Sequence, residues 1–359
     1  ETLTVGWMDP GEAVGSRAGA GNPRPAADRP GTAVATAPAN QPQLRKLSGG
    51  LPAIVQTNPL SNSATVELLL SAPVGEGANP DDMPGPDAIV RSGWPVNLAT
   101  LLTEAAAAAK NPPAAEADRS QDPATRLEQL ISAQMSGSSN LAAVPLAAIV
   151  SGNIDAETTF GLLERQLGQT APAELSRNVP RPVSTPKVVR ELIAKPLAQG
   201  GLGYVAEGPR PGTREALAWR MLLYVLTHDY SGRLGRSAIT EKGIVYHIYS
   251  SVRTDGARSW ATISTGVDPD KANAMEAELR AQLARLVRDP PSPAEVDAAR
   301  NHLLGRDLTA AQSNEELTAK LAREFVETGG LRSHEQLRQQ LSTITPARRR
   351  CGRGCPGTR

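Results

Sequence analysis

The sequence predicts an α+β protein of two related domains. Each is a mostly antiparallel sheet with helices layered on one face, and the first is reduced. Three observations predict it. Residues 64–71 place Val66, Leu68 and Leu70 in alternation with Thr65, Glu67 and Leu69, close to the period of a strand with one buried face. The second half reads strand, helix, hairpin and then several helices, the order of helices packed on an antiparallel sheet. A chain of 359 residues has the length of two domains.

Residues 1–43 are expected to be a disordered or extended leader, because 6 Gly, 5 Pro and 9 Ala make up half of the first 40 residues. Order begins near Leu44. Leu51–Gln56 and Ala64–Ser71 read as strands joined by a turn at Thr57-Asn58-Pro59. Pro73–Pro95, with 9 of 23 residues Pro or Gly, reads as a loop. Asn97–Lys110 is an Ala-rich helix ended by Asn111-Pro112-Pro113, and Arg126–Met135 is a weaker second one. Val144–Ser151 is a buried strand. Asp155 then caps a helix with Phe160, Leu163 and Leu167 on one face. Residues 44–169 thus form the first domain and 170–187 a Pro-rich linker.

The second domain spans 188–346. Gly201–Ala206 is a short strand, and Thr213 caps a helix running to Thr227 with Leu217, Met221 and Tyr224 on one face. Gly243–Val252 and Arg258–Val267 read as strands joined by a hairpin turn at Thr254-Asp255-Gly256-Ala257. Asp268-Pro269 opens a helix expected to bury Ala272, Met275, Leu279, Leu283 and Leu286. Ser292-Pro293-Ala294-Glu295 is a capping box, continued by Val296, Ala299 and Leu303. A last helix carries Leu317, Leu321 and Phe325 and stops at Gly329-Gly330. Seven of the eleven Phe, Trp and Tyr residues fall between Tyr204 and Trp260, so an aromatic core is expected in this half.

Composition removes several classes of function. With 38 basic and 37 acidic residues the net charge is +1, which points to no strongly charged partner. Only Cys351 and Cys355 occur, excluding a disulfide framework and a Cys-rich zinc site. The tail 347–359 holds five Arg and no acid, but no aromatic ring to stack on bases, so it reads as a solvated end. No apolar run approaches the roughly 20 residues of a membrane helix. No basic-then-apolar leader follows Glu1. A soluble protein is expected, and a periplasmic location is compatible with it. Gly200-Gly201-Leu202-Gly203 follows no clear strand and opens no helix, which argues against a phosphate loop. Asp81-Asp82 with Asp87 lacks the spacing and closing Glu of a calcium loop. His228-Asp229 and Ser231 are sequence neighbours at a helix end, a turn rather than a hydrolase triad. Arg233 and Arg236 read as loop charges before they read as an anion site.

Four stretches then point to a family. Leu47–Ala72 is similar to the opening hairpin of the pitrilysin/insulinase-type zinc metallopeptidases, which include the mitochondrial processing peptidase. Val150–Leu167, with Ser151-Gly152-Asn153-Ile154-Asp155, resembles their strand–Gly–Asp–helix. Ser231-Gly232-Arg233-Leu234 followed by Glu241-Lys242-Gly243-Ile244-Val245-Tyr246 resembles the second-domain pattern (Gly/Ser)-Ser-Arg-Leu … Gly-Leu-(Ala/Gly)-Tyr, with Gly232 in place of a Ser. Ser292-Pro293-Ala294-Glu295-Val296 resembles the helix start that follows. Residues 190–346 as a whole resemble the family's second domain.

The departures decide what the resemblance implies. Active members carry His-x-x-Glu-His on a first-domain helix, whose two imidazoles hold zinc while the Glu activates water. The four His here are His228, His247, His302 and His334, none of them in the first domain. Setting Glu104 at the family's Glu puts Leu101 and Ala105 at its histidines. The short interval Asn111–Ala143 implies that first-domain helices are missing. In the family an Arg and, seven residues later, a Tyr grip the substrate backbone. Tyr246 matches the Tyr, Ile239 stands in place of the Arg, and Arg236 is the nearest substitute. The implied protein is a non-catalytic subunit, inactive alone, with no metal or catalytic residue of its own. It would pair with a zinc-bearing homologue and help enclose peptide, contacted by Tyr246 and Arg236. The alternatives are a structural assembly protein on the same scaffold and a zinc endopeptidase with an unrecognised metal site.

Overall fold

The computed structural model describes residues 41–71, 88–110, 126–127, 130–131, 144–173, 200–228, 230–254, 259–310 and 312–346. The expected leader up to residue 40, the linker beyond residue 173 and the basic tail lie outside them, as does most of the weak helix at 126–135.

Five strands build the first sheet: β1 (Gln43–Lys46), β2 (Pro52–Thr57), β3 (Ala64–Leu70), β4 (Ala88–Gly93) and β5 (Pro145–Gly152). Their order is β1-β2-β5-β3-β4, and every pair is antiparallel except β2 with β5. The expected hairpin between β2 and β3 does not form, because β5 lies between them. The connection wraps the end of β5, where the Asn58 N–H donates to Gly152 O at 2.6 Å. Gly152 has φ +150°, and a Cβ there would sit 2.6 Å from Ser63 O. Only glycine lets the loop pass so close. The local turn signal at Thr57-Asn58-Pro59 was sound, but a turn does not name the strand that pairs. The predicted loop Pro73–Pro95 contains β4, an edge strand whose Gly93 and flanking prolines mask it in sequence.

The sheet is covered on both faces, beyond the one-sided layering expected. On one face Ala53, Val55, Val66, Leu68, Ala148 and Val150 meet α1 (Leu98–Lys110) and α2 (Ala156–Leu167). Asp155 caps α2 by accepting from the Thr158 N–H at 2.8 Å, as expected, and Phe160, Leu163 and Leu167 are buried. On the other face Ile54, Leu69, Ala147 and Ile149 meet Leu317, Leu321, Ala322, Phe325 and Val326 of α6 (Asn314–Thr328). All seven residues of β3 are therefore buried, including Thr65 and Glu67, which the alternating pattern placed in solvent. The first turn of α6 is tied to the β2–β3 loop: Asn314 donates to Ser61 Oγ at 2.7 Å and to Ser63 O at 2.8 Å.

The second sheet is β6 (Gly200–Glu207), β8 (Ser259–Val267) and β7 (Tyr249–Thr254), antiparallel throughout with β8 central. Helix α3 (Arg214–Thr227), capped by Thr213, lies between two clusters. One side sends Leu226 toward the sheet, the segment after α3 and α4 (Ala272–Arg288). The other sends Leu217, Met221 and Val225 toward α5 (Pro293–Thr309) and α7 (His334–Ser342). The capping box at Ser292 and Glu295 forms as read, and Gly329 ends α6 with φ 74°. Three expectations fail here. The strand predicted from Gly243 begins only at Tyr249. On α4 the buried side chains are Met275, Glu278, Leu279 and Gln282, while Leu283 is 40% exposed. The expected aromatic core fails for Tyr230, Tyr246 and Tyr249, which are exposed, although Trp260 is buried and Tyr204 and Tyr224 pack against the clusters. Helix α7 was not read from the sequence at all.

Candidate functional site

Helix α1 is the helix that the resemblance set against the family's zinc helix. Leu98, Leu101, Leu102, Ala105 and Ala106 are buried, and this face packs against β3 and β4. Leu101 and Ala105, which that register set at the two histidines, belong to the first core cluster, while Glu104 points outward. These side chains offer no lone pair to a metal, so they do not fit a zinc ion. Among the described residues no group of three or more His, Cys, Asp or Glu gathers to hold one.

The second-half motif is built on polar anchors. After α3 the chain makes a single helical turn at Arg233–Gly235 and runs into a π-helix at Arg236–Glu241. Arg233 grips Glu295 with both ends of its fork, Nε to Oε1 at 2.7 Å and Nη2 to Oε2 at 2.8 Å, and donates from Nη1 to Asp289 O at 2.7 Å. Glu295 also closes the capping box of α5 by accepting from the Ser292 N–H at 2.8 Å. The Arg233 guanidinium beside it holds the Glu295 carboxyl down at about 2. The Ser-Gly-Arg-Leu and Ser-Pro-Ala-Glu motifs thus lock to each other, and Arg233 is committed to scaffold.

Glu278 fixes the π-helix from below. Its carboxylate accepts from Ser237 Oγ at 2.6 Å and Gln282 Nε2 at 2.8 Å, and pairs with Lys242. Burial opposes its ionisation, but Lys242, Ser237 and Gln282 outweigh burial and hold it at about 2. Sequence reasoning missed Glu278; the signal available was Glu278 and Gln282 one turn apart, on the face also carrying Met275 and Leu279.

Beyond the π-helix, Gly243 turns the chain with φ 58° and the Ile244 N–H donates to Ala238 O at 2.8 Å. Val245 and Ile248 enter the core, which leaves Tyr246 and His247 facing out. Tyr246 is 73% exposed and lies on this irregular stretch, not on a strand. The Thr265 hydroxyl donates to His247 O at 2.6 Å, and the His247 and Tyr249 rings lie 4.8 Å apart. Lys271, ion-paired with Asp268 at 3.2 Å, is close enough to feel Tyr246 electrostatically. The surface is therefore a short aromatic row, Tyr246, His247 and Tyr249, running onto β7, an edge strand of the three-stranded sheet. Arg236 is exposed at the head of the π-helix. No hydrogen bond or ion pair joins it to Tyr246 among the described residues. Ile239, where the family has Arg, packs half-buried against the core cluster.

The arrangement presents aromatic faces, a strand edge and nearby cations on one surface. The profile of the family described as peptidase M16 inactive domain matches residues 143–303. That match begins at the end of the first domain and covers the motif, the edge strand and the capping box. Over those residues the chain is similar to this pitrilysin-type family, and no His-x-x-Glu-His occurs in its sequence. No curated protein matches the sequence. Among solved structures it is similar to the peptidase M16 inactive domain from Pseudomonas fluorescens, with a TM-score of 0.62, 15% identity, and coverage of 85% of this chain and 92% of that one. It is also similar to the periplasmic protease PqqL of Escherichia coli, with a TM-score of 0.53 and 14% identity over 85% of this chain and 45% of that one. A chain in the structure of complex III2 from Candida albicans gives a TM-score of 0.54 at 14% identity, over 84% and 90% of the two chains. At these identities the likenesses show the fold alone.

Proposed function

We propose that the chain is a non-catalytic, peptide-binding subunit that pairs with a zinc-bearing homologue and helps to enclose the peptide. One observation carries the reading: α1, the helix that would hold zinc, turns Leu101 and Ala105 into a packed apolar core. A helix so used has no room for imidazoles without opening that core. The exposed tyrosine surface beside edge strand β7 supplies the other half of the reading, since an edge can add an extended peptide through main-chain hydrogen bonds. The partner supplies the zinc and the activated water; this chain supplies surface. The likeness to PqqL makes the periplasm the compartment to test first.

The test is zinc content and peptide hydrolysis, on the chain alone and then mixed with a zinc-bearing M16 homologue from the same cell. No metal, no hydrolysis alone and a gain on mixing support the proposal. Chelator-sensitive hydrolysis by the chain alone overturns it.

One observation favours a second reading, a structural assembly protein that binds no peptide. Ile239 packs into the core where the family presents an Arg, so the substrate grip is incomplete. The same fold occurs in a chain of complex III2. Peptide affinity of a reconstituted complex that is unchanged by Tyr246→Ala would select this reading.

A further inference from the structure

Strand β3 carries an acid at the level where the sheet is closed on both faces. Glu67 is 3% exposed and points to the side that α6 covers. Its neighbours in the sheet are Val90 of β4 and Ile149 of β5, so the flanking strands bring no titratable group to it. From α6 come the Thr318 hydroxyl, near the carboxyl, and the Arg323 guanidinium at longer range. Arg323 is faced in turn by Glu327, by Arg220 of α3 and by Arg306 of α5. Glu327 is ion-paired with Arg220; Glu324 and Lys320 turn to Arg332 and Asp307. Glu67 Oε2 has no hydrogen-bond partner among the described residues.

The Thr318 hydroxyl has one proton and two claimants. It donates to Glu315 O at 3.0 Å, one turn back in α6, and stands near the Glu67 carboxyl. When Glu67 is neutral, its own O–H donates to Thr318 Oγ1 and the Thr318 proton stays on the Glu315 carbonyl. When Glu67 is ionised, the Thr318 proton turns to the carboxylate. The bond in the first turn of α6 is then given up, and a buried oxygen bearing charge is left unpaired, an expensive arrangement. Thr318 follows Asn314 by one turn, and Asn314 is the residue that ties α6 to the β2–β3 loop.

We propose that Glu67 and Thr318 form a proton-gated latch between the five-stranded sheet and α6. The latch is closed while the carboxyl keeps its proton and loosens when the proton leaves. Because α6 follows the second sheet in sequence and covers the first, the latch governs the joint between the two halves.

The sign follows from the carboxyl. Burial, opposed by Thr318 and Arg323, pushes Glu67 up from 4.5 to about 7. A raised acid in the folded state gives stability that is whole below pH 4.5, shrinks as pH rises toward 7, and is gone above it. Between pH 5.5 and 8.5 the opening constant of α6 should rise about thirtyfold.

The experiment is amide hydrogen exchange of α6 against pH, corrected for intrinsic rates, on the full chain. Wild type should show the rise and Glu67→Gln should abolish it, since the amide donates to Thr318 and carries no charge. Glu324→Gln, at another acid on α6 pushed up by burial, should keep it. A flat wild-type profile, or an unchanged rise in Glu67→Gln, overturns the latch. If Glu67→Gln does not fold, Thr318→Val decides. Loss of the hydroxyl that favours the charged form should move the midpoint to higher pH, and an unmoved midpoint also overturns the latch.

Discussion

Around the five-stranded sheet the structure is held by apolar layers on both faces, with Leu68, Leu69, Leu102, Ile149 and Leu163 fully enclosed. Around the three-stranded sheet the apolar clusters are thinner, and charge takes a share of the work through Arg233–Glu295 and Glu278–Lys242. The two regions also expose different things. In the first, the helix set against the family's zinc helix turns Leu101 and Ala105 inward; the second sets Tyr246 and Tyr249 in solvent beside edge strand β7. Helix α1 gives Leu101 and Ala105 to the first core, while the second region leaves its tyrosines accessible. A helix face can serve a metal or a core, and α1 serves the core.

The largest effect should come from the apolar side of that contrast. Leu102→Ala, at a fully enclosed position between α1 and the sheet, should cost about 2–5 kcal/mol, the lost transfer of the side chain plus the cavity it leaves. Urea denaturation measures it. A cost below about 1 kcal/mol would mean that α1 is not the support described and could be vacated for another use.

Next in size is the polar lock. Arg233→Ala removes a bidentate guanidinium from Glu295 and the donor to Asp289 O, and should cost about 1.5–3 kcal/mol. The pH response of this region should run opposite to that of Glu67. Glu295 and Glu278 are both held at about 2 in the fold, by Arg233 and by Lys242 with Ser237 and Gln282. Their contribution is whole above pH 4.5 and is lost as pH falls toward 2. Acid should therefore loosen the second region while it tightens the sheet–α6 latch. Exchange protection in α5 and the π-helix, followed from pH 5 to 2.5, checks the first half of that statement. Equal acid loss in Arg233→Ala and wild type would break it.

Much of the fold was legible in sequence because it is written locally. Asp155, Thr213 and Ser292 each announce a helix by a side chain that caps its own next turn. What was hidden is non-local. The insertion of β5 between β2 and β3 depends on a partner eighty residues away, and no turn signal carries that. Glu67 reads as the wet side of a strand until α6 arrives from the far end of the chain. Of the site, Tyr246 was visible through its motif, and the structure leaves it exposed. The anchor Glu278 was missed because a charged side chain adds nothing to the apolar periodicity of a helix. The lock of Arg233 on Glu295 joins two motifs that sequence alone could only place side by side.

The smallest effect on stability should be the most telling about function. Tyr246 stands 73% exposed between the buried Val245 and the exposed His247, with its backbone position set by Gly243, Thr265 and the Glu278 anchor rather than by its own ring. Tyr246→Ala should therefore change unfolding free energy by no more than about 0.5 kcal/mol. A stable variant isolates the ring's role, because the edge of β7 and the π-helix beneath it remain in place. In a complex with a zinc-bearing homologue, peptide affinity should fall if the second region is the binding surface. Removing an exposed aromatic contact of this kind should cost about 1 kcal/mol or more, roughly five- to tenfold in Kd. Arg236→Ala, three positions before Ile239, then sharpens the contrast. An additive loss assigns the two side chains to separate contacts, while no further loss leaves Tyr246 as the grip and makes Arg236 an ordinary solvated charge.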